Sequence, residues 1–407
     1  MNIRSLPKIK NVVIVLSIAV FIQFLGAMAV SPILPIFLKH NSQKESSVGL
    51  IIALFFVFNL ISQYPSGRYL DKHNPISVII FGLTLFSVSS ILMGLSTNFS
   101  ELMIFRSLQG IASGSYLVST NSIIAKSQTS TTKTKAFAYL FGSQVSGTTI
   151  GALLGSTFGL NHLRLVFVGA AILSLFSLIY TLLNLSLISH TISQSKVSQS
   201  KVEAFGSKGD LKTSETISFK RLLARPEIQS AVLWAAASGS VTGVYETLWS
   251  PFFLSRGANG LLLGLSWFCF GAPYLLFSWK IDSLAKLLKL PTMAISQPLF
   301  GGLFIIVYVS IHNTYLIVGL CAVEALAVLP GAPAIQTILT KSIPSSQQGQ
   351  LQGIFLSSQI AFQAIAAFMS GIIATVSIGL SFYIAGSFSL VICFPIFFKL
   401  RKKEYSP

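Results

Sequence analysis

The sequence predicts an all-α membrane protein with twelve transmembrane helices in two halves of six. The chain is 52% hydrophobic and only 10% charged over 407 residues, and its mean hydropathy is +0.74. A soluble protein of this length needs more charge on its surface. Apolar stretches recur along the whole chain at about 20 residues each, the length that crosses roughly 30 Å of hydrocarbon as a helix. Composition and the repeated span length therefore predict the fold class.

The predicted spans fall in two sets, separated by a segment of different composition. The first set is 12–38, 46–66, 76–96, 99–125, 136–159 and 164–187. The second set is 228–254, 260–280, 291–311, 314–340, 350–375 and 378–399. Residues 188–226 are rich in Ser, Lys, Gln and Thr, and are too polar to form a buried core. We therefore expect an N-terminal six-helix bundle at 1–187, a cytoplasmic linker at 188–226 and a C-terminal six-helix bundle at 227–407.

The positive charges indicate the topology. A net charge of +17 would suggest nucleic acid in a soluble protein, but all except five of the 28 Lys and Arg fall in the segments predicted to be cytoplasmic. This is the positive-inside distribution, and it predicts that both termini are cytoplasmic. We expect a multi-pass protein of the plasma membrane that functions as a monomer, with a small-molecule solute and no nucleic-acid partner.

The sequence offers no enzymatic site. No nucleotide-binding loop, metal-ligand cluster or pairing of a nucleophile with a base occurs in its loops. Cys269, Cys321 and Cys393 lie in apolar spans, and an odd count without a spacing pattern predicts free thiols. We expect no enzymatic activity, no metal and no cofactor.

Short motifs in the first half resemble those of a known family. Between spans 2 and 3, Gly67, Asp71 and Lys72 match the front of the loop motif Gly-x-x-x-Asp-Arg/Lys. In span 4, Arg106 and Gln109 belong to a full match to Arg-x-x-Gln-Gly. On these residues the chain resembles the major facilitator superfamily, and within it the twelve-helix drug:proton antiporters of the multidrug and tetracycline type.

The resemblance implies two pseudo-symmetric bundles, alternating access driven by the proton gradient, and spans 1, 4, 7 and 10 around a central cavity. The chain departs from the antiporter pattern at Thr148, which stands where the fifth-helix motif has proline. Its first span offers Gln23 where many multidrug members carry an acid. We interpret Gln23 as either a hydrogen-bonding group for the solute or a helix contact.

Away from the ends of the predicted spans, three residues are charged: Arg106, Glu246 and Glu324. A charge at the centre of a membrane helix costs above roughly 2.5 kcal/mol by insertion scales, and it marks a functional site by default. The alternative is a structural ion pair that locks two helices. Because the proton affinity of a carboxyl depends on burial and neighbouring charges, we expect the two glutamates to exchange protons as the helices move.

Further residues are predicted to line a substrate cavity. Gln109, Ser113, Tyr116 and Thr120 follow Arg106 at steps of three and four, so they share one helical face that must avoid lipid. Tyr245 and Trp249 offer an aromatic surface for hydrophobic or cationic solutes.

Other residues are predicted to act in conformational change. Asp71 and Asp282 lie at inner turns between helices, with Gly67 and Lys72 beside the first. Small residues repeat at every fourth position in span 5 and allow close helix packing; resemblance implies that this face seals span 5 against span 8. A pair of prolines interrupts span 10 and predicts a bend. The small residues of span 5 are Gly147, Gly151 and Gly155, and the prolines of span 10 are Pro330 and Pro333.

The residues and the resemblance together favour export of amphipathic or drug-like compounds in exchange for protons. Uptake of a sugar, an organic acid or a similar nutrient by a symporter or uniporter is the alternative, favoured by Thr148 and the acid-free first span. A ligand sensor that transports nothing is a third possibility.

Overall fold

The computed structural model describes residues 6–41, 43–127, 130–189, 225–277, 288–342 and 348–401. Regular secondary structure within these residues is helical, without a β-strand. Most of the predicted linker, 188–226, lies outside the described residues, and so does Asp282.

The helices follow the predicted spans along the chain. The first half contains α1 (Leu6–Val30), α2 (Leu34–His40), α3 (Glu45–Lys72), α4 (Pro75–Leu95), α5 (Phe99–Ser127), α6 (Ser130–Gly159) and α7 (Leu163–Leu183). The second half contains α8 (Pro226–Ser255), α9 (Gly260–Phe277), α10 (Leu290–Ala294), α11 (Ser296–Ser310), α12 (Thr314–Val328), α13 (Gly331–Ser342), α14 (Gln348–Ile373) and α15 (Ile378–Arg401). Each predicted span coincides with one helix or with two helices separated by a break.

Membrane-spanning character is clear for most of these helices. Over the residues that the structure describes, nine segments are long and apolar enough to cross a bilayer. The other three predicted spans correspond to α5, α6 and α8, which are 29, 30 and 30 residues long and carry more polar side chains. The count of twelve spans and the cytoplasmic location of the termini stay predictions.

The residues that depart from the loop motif form the start of a helix: Asn74, Pro75 and Ile76 stand where the motif of the resembled family has Gly and two basic residues. Asn74 caps α4 by accepting a hydrogen bond on its Oδ1 from the backbone N–H of Ile76 at 3.1 Å. Pro75 occupies the first helical position, where its fixed φ fits the helix and no N–H is lost. The residues that replace the motif's glycine and basic positions therefore define where α4 begins.

Contacts divide the chain into two units. The first comprises Met1–Val30, Phe58–Gly151 and Leu163–Ser214, and the second comprises Ser31–Val57, Ala152–His162 and Glu215–Pro407. Two segments that precede the linker thus pack within the second unit. The first of these segments packs closely against α14 through a glycine. A Cβ added to Gly49 of α3 would lie 2.6 Å from the carbonyl oxygen of Ala367 in α14. The division into two bundles at the linker stays a prediction.

Serine side chains join the helices of the first unit. Ser174 of α7 donates to the carbonyl oxygen of Leu83 in α4 at 2.9 Å, and Ser87 of α4 donates back to Ala171 at 3.0 Å. Ser177 donates to a carbonyl of α1 at 2.8 Å. Small polar side chains allow helices to approach closely and bond across an apolar interface, so α7 is held against both α4 and α1.

The second unit contains two separate hydrophobic clusters. One includes Trp234, Met293, Ile335 and Phe355. The other includes Trp249, Tyr308, Ile317 and Phe382. Residues of α8, which is continuous, belong to both clusters. Two other predicted spans, α10–α11 and α12–α13, are each broken between the two clusters.

The predicted interruption beside Pro330 is confirmed, because α12 ends at Val328 and α13 begins at Gly331. A second break, at Ile295, separates α10 from α11. The indole of Trp234 donates to the carbonyl oxygen of Ala294 at 2.9 Å. This bond satisfies a backbone group that has no helical donor, because Pro298, four residues later, has no N–H. Broken spans with satisfied ends are a common way to build a site within a membrane protein.

Candidate functional site

A cavity of about 190 Å³ lies within the second unit, beside both helix breaks. Its walls come from α8, α9, α11, α12 and α15. The lining includes two carboxylates, four aromatic side chains and four neutral polar side chains, two of which are Thr242 and Ser389. The others are Glu246, Glu324, Tyr245, Trp267, Phe270, Tyr274, Ser238 and Gln297. No Lys or Arg lines this cavity among the described residues, so its fixed charges are acidic.

Glu324 is the most buried carboxylate of the cavity, with 4% of its surface exposed. The hydroxyl of Tyr308 in α11 donates to Oε2 at 2.7 Å. The hydroxyl of Tyr245 in α8 lies 3.1 Å from Oε1 and 3.3 Å from Oε2. Within the described residues Glu324 makes no ion pair. The structural ion pair considered above therefore does not describe Glu324, whose hydrogen bonds come from neutral donors on two neighbouring helices.

Glu246 lines the same cavity and is half-buried. Its Oε2 accepts a hydrogen bond from the hydroxyl of Ser31, which lies in the turn between α1 and α2. Because Glu246 follows Tyr245 directly on α8, one turn of helix presents both a carboxylate and a donor to the second carboxylate. The structure thus brings the two predicted glutamates to one cavity.

Aromatic rings form one wall of the cavity. The centroids of Tyr245 and Phe270 are 5.4 Å apart, and those of Trp267 and Phe270 are 6.2 Å apart. Trp249, which was predicted to line a substrate cavity, lies behind this wall: it is fully buried and its Nε1 donates to Ser266 Oγ at 2.9 Å. Its role here is to support Tyr245, whose ring it meets edge-on at 5.3 Å.

Amide and hydroxyl groups form a polar network at the cavity lining, where Gln297 and Ser238 lie. Gln297 Nε2 donates to Ser238 Oγ at 2.6 Å, and Gln359 Nε2 lies 3.4 Å from the same oxygen. The network joins α8, α11 and α14. Sequence reasoning missed Gln297 and Ser238, although a glutamine in an apolar span was a usable signal, since such groups need partners in lipid.

In the first unit, the family's fourth-helix motif forms a short chain of hydrogen bonds. Arg106 Nη1 donates to Gln109 Oε1 at 2.8 Å, and Gln109 Nε2 donates to Ser90 Oγ of α4 at 3.1 Å. Arg106 is 8% exposed and Gln109 is fully buried. The spacing of three residues in the motif places the two side chains one turn apart, within bonding distance.

The other residues of the predicted polar stripe bond locally or pack into the core. Thr120 Oγ1 donates to the backbone carbonyls of its own helix, 3.1 Å from that of Tyr116. Tyr116 is 2% exposed and belongs to a hydrophobic cluster with Leu83 and Ile123, and Ser113 is half-buried. Arg106, Gln109 and Thr120 are thus hydrogen-bonded within the first unit, and the role of the stripe in lining a solute path stays a prediction.

Gln23 is buried in α1, with 5% of its surface exposed. Its Oε1 accepts no hydrogen bond from the residues that the structure describes. Both interpretations of this residue, solute contact and helix contact, stay open.

The glycine face of α6 packs differently from the expectation. A Cβ added to Gly147 would lie 2.6 Å from the carbonyl oxygen of Phe21 in α1, and one added to Gly151 would collide with the carbonyl of Leu25. These two glycines therefore seal α6 against α1 in the first unit. Gly155 is buried further along α6.

Close packing of α6 with α9, the predicted span 8, uses glycines on α9 instead. A Cβ added to Gly264 would lie 2.7 Å from the carbonyl oxygen of Leu153 in the second unit. The expected seal between spans 5 and 8 thus involves residues after Gly151.

The remaining conformational residues are partly described. A Cβ added to Gly67 would meet nothing within 4 Å, so packing does not require glycine there. Asp71 and Lys72 form the last residues of α3, while Asp282 is outside the described residues. Pro330 lies in the break before α13, and Pro333 lies in the first turn of that helix. Their gating roles stay predictions.

Three bacterial proteins are similar to parts of this chain. Multidrug resistance protein 1 of Bacillus subtilis (strain 168) is 31% identical over 177 residues, 43% of this chain and 46% of that protein. Multidrug resistance protein 2 of the same strain is 28% identical over 172 residues, 42% of this chain and 43% of that protein. Quinolone resistance protein NorA of Staphylococcus aureus is 34% identical over 143 residues, 35% of this chain and 37% of that protein. The chain thus matches less than half the length of each relative.

Solved transporter structures share the fold over nearly the whole chain. A bacterial homolog of the human lysosomal transporter Spinster, in an inward-facing and unoccupied conformation, has a TM-score of 0.70 at 14% identity, covering 98% of this chain and 99% of that one. The peptide transporter POT in complex with alafosfalin has a TM-score of 0.76 at 14% identity, covering 96% and 94%. The nucleoside transporter NupG has a TM-score of 0.74 at 14% identity, covering 96% and 100%.

The family itself follows from the sequence. The Major Facilitator Superfamily model matches residues 16–290, which is more than half of the chain. Members of this superfamily are transporters and not enzymes. The apolar helices and the membrane-bound relatives agree with a multi-pass protein of the cell membrane. The chain belongs to the Major Facilitator Superfamily.

Proposed function

We propose that the protein exports small amphipathic or drug-like compounds across the cell membrane in exchange for protons, by alternating access. The names of its relatives, two multidrug resistance proteins and a quinolone resistance protein, support export of foreign compounds. The site within the second unit supports the exchange for protons.

The observation that carries the proposal is the setting of Glu324. This carboxyl is buried on the cavity, accepts hydrogen bonds from Tyr245 and Tyr308, and shares the cavity with Glu246. A carboxyl whose partners are neutral hydroxyls carries an uncompensated charge when it is ionised and none when it is protonated. A compound that brings a positive charge into the cavity therefore favours the ionised form, and this links binding of the compound to release of a proton.

The exchange of the compound for a proton follows from this linkage between binding and proton release. When a cationic or weakly basic compound enters from the cytoplasm, Glu324 releases its proton to water on that side. When the cavity opens to the outside, Glu324 takes up a proton from that side and the compound leaves. One cycle moves a compound outward and a proton inward. Glu246 and Arg106 are the two further charges that we assign to this coupling.

The lining of the cavity supports the class of compound. The wall formed by Tyr245, Trp267 and Phe270 offers flat apolar surface for an aromatic body, and ring faces attract cations. The two carboxylates complement a positive charge. The breaks at Ile295 and Pro330 border the cavity and provide points at which half-helices can move.

Transport in proteoliposomes tests the proposal, with rhodamine 123, a fluorescent aromatic cation, as the probe and an imposed pH gradient as the driving force. We expect the wild-type protein to move the probe against its gradient only when protons flow the other way. Glu324→Gln and Glu246→Gln are expected to abolish proton-driven movement. Glu101→Gln is the matched control, because Glu101 accepts a hydrogen bond from Ser96 at 2.6 Å at the start of α5 and does not line the cavity.

Two results would overturn the proposal. Proton-driven export that survives in the double variant of Glu246 and Glu324 would show that these carboxyls do not couple protons to transport. Accumulation of the probe in the same direction as proton flow would instead support an uptake symporter.

A further inference from the structure

Two polar atoms on the cavity lining are buried without a hydrogen-bond partner among the described residues. One is Gln297 Oε1, which is an acceptor, and the other is Trp267 Nε1, which is a donor. Both residues line the cavity described above. Buried polar groups in proteins are nearly always hydrogen-bonded, and each exception requires an explanation. Because both residues line the cavity, a solute that donates to one atom and accepts from the other would supply the missing partners.

Gln297 is held in place by its surroundings. It lies in the first turn of α11, directly after the break at Ile295. Its Nε2 donates to Ser238 Oγ at 2.6 Å, and a Cβ added to Gly331 would lie 2.7 Å from the Gln297 Cβ. Exchanging the oxygen and nitrogen of the amide would still leave one polar atom without a partner. The side chain is thus fixed by a hydrogen bond and by close backbone packing, as a binding group needs to be.

Trp267 differs from the other tryptophans that the structure describes. Trp234 donates to the carbonyl oxygen of Ala294, and Trp249 donates to Ser266. Trp267, on the cavity wall, makes no such bond. Its ring packs against Phe270 at a centroid distance of 6.2 Å, so the indole is positioned by the same aromatic wall.

We propose that Gln297 and Trp267 determine substrate specificity through these two atoms. The carbonyl oxygen of Gln297 accepts a hydrogen bond from an N–H or O–H group of the solute, and the indole N–H of Trp267 donates to an oxygen or nitrogen acceptor of the solute. The inference rests on the export function proposed above and adds a preference, among aromatic cations, for those that carry both a donor and an acceptor. A site with such groups disfavours a compound that lacks them, because the buried polar atoms then stay unpaired.

Two probes with contrasting chemistry test the inference. Rhodamine 123 carries amino donors and an ester acceptor, whereas tetraphenylphosphonium is an aromatic cation with neither. We compare the initial export rates of both probes from proteoliposomes containing the wild-type protein, Gln297→Leu or Trp267→Phe. Each substitution is expected to lower the ratio of the rhodamine 123 rate to the tetraphenylphosphonium rate by about tenfold, the factor expected for loss of one hydrogen bond.

Matched controls separate specificity from general damage. Gln336→Leu removes an amide that bonds to Gln352 at 2.5 Å and does not line the cavity. Trp234→Phe removes a buried indole N–H that has a backbone partner. Both controls are expected to leave the ratio of the two rates unchanged. Both rates are measured on the same preparation, so a loss of folded protein lowers both rates and leaves their ratio unchanged. If Gln297→Leu does not fold, Gln297→Met takes its place.

The outcomes distinguish this inference from the function on which it rests. An unchanged ratio in both Gln297→Leu and Trp267→Phe, with wild-type export intact, overturns the specificity role and leaves the export function standing. An equal fall of the ratio in the control variants overturns it as well. If the wild-type protein exports neither probe in exchange for protons, the export function is wrong and the inference falls with it.

Discussion

The hydroxyl of Tyr308 provides the most direct test of how Glu324 works. Tyr308→Phe removes one oxygen atom from a fully buried residue and deletes the 2.7 Å hydrogen bond to Glu324 Oε2. A hydrogen bond to a charged acceptor contributes about 1.5–3 kcal/mol. The bond stabilises the ionised carboxylate, which is the form that binds the solute in our proposal. Its loss should therefore reduce the affinity for a cationic solute by roughly tenfold to a hundredfold.

Tyr245→Phe is expected to have the smaller effect. The Tyr245 hydroxyl lies 3.1 Å and 3.3 Å from the two oxygens of Glu324, so it is shared and longer than the Tyr308 bond. Hydrogen bonds weaken as the distance lengthens and the geometry departs from linear. We expect less than about tenfold loss of affinity for this variant.

The assay is titration of purified protein in detergent with rhodamine 123, followed by fluorescence anisotropy. Tyr315→Phe is the matched control, since Tyr315 is 73% exposed and lies at the start of the helix that carries Glu324. The reasoning is refuted if Tyr308→Phe binds as tightly as the wild-type protein. It is also refuted if Tyr245→Phe loses more affinity than Tyr308→Phe.

Three further substitutions test the packing, each followed by thermal unfolding in detergent. Gly331→Val should destabilise the protein by about 1–3 kcal/mol, because the added side chain forces apart the two broken spans. Gly319→Val should be neutral, since a Cβ there meets nothing within 4 Å. Equal effects of the two substitutions would contradict the close approach at Gly331. Arg256→Ala should cost about 1–3 kcal/mol because the guanidinium donates at 2.6 Å to a carbonyl at the end of α11. Ser174→Ala should cost about 0.6 kcal/mol, and a larger loss than for Arg256→Ala would refute this ranking.

The helices were predictable because hydropathy and span length depend on local sequence alone. The break beside Pro330 was predictable for the same reason, since proline removes a backbone donor and clashes with the preceding turn. The break at Ile295 was missed, although Pro298 was a local signal for it: this proline has no N–H for the carbonyl of Ala294, four residues earlier. What the sequence could not show is the replacement donor, the indole of Trp234, about 60 residues away along the chain.

The candidate site was predictable in its two carboxylates and in Tyr245, which lines the cavity as expected. Glu246 and Glu324 stand out because acidic residues are rare in apolar spans. Tyr308 was missed because a tyrosine near the end of a span also fits an interface anchor. Trp267 was missed because nothing local distinguishes it from Trp249, which the structure places behind the aromatic wall.

The glycine face of α6 shows the limit of pattern reasoning most clearly. A repeat at every fourth residue predicts that a helix approaches closely, and it does. The repeat carries no information on which helix approaches. Gly147 and Gly151 meet α1, where the carbonyls of Phe21 and Leu25 fill the space that side chains would occupy.

The central claim is that solute binding displaces a proton from Glu324. The most direct measurement is proton release when rhodamine 123 is added to purified protein in weakly buffered detergent solution, followed with a pH-sensitive dye. The account predicts release of about one proton per bound probe in the wild-type protein and none in Glu324→Gln. Equal release in both proteins, or binding to the wild-type protein without any release, would contradict it.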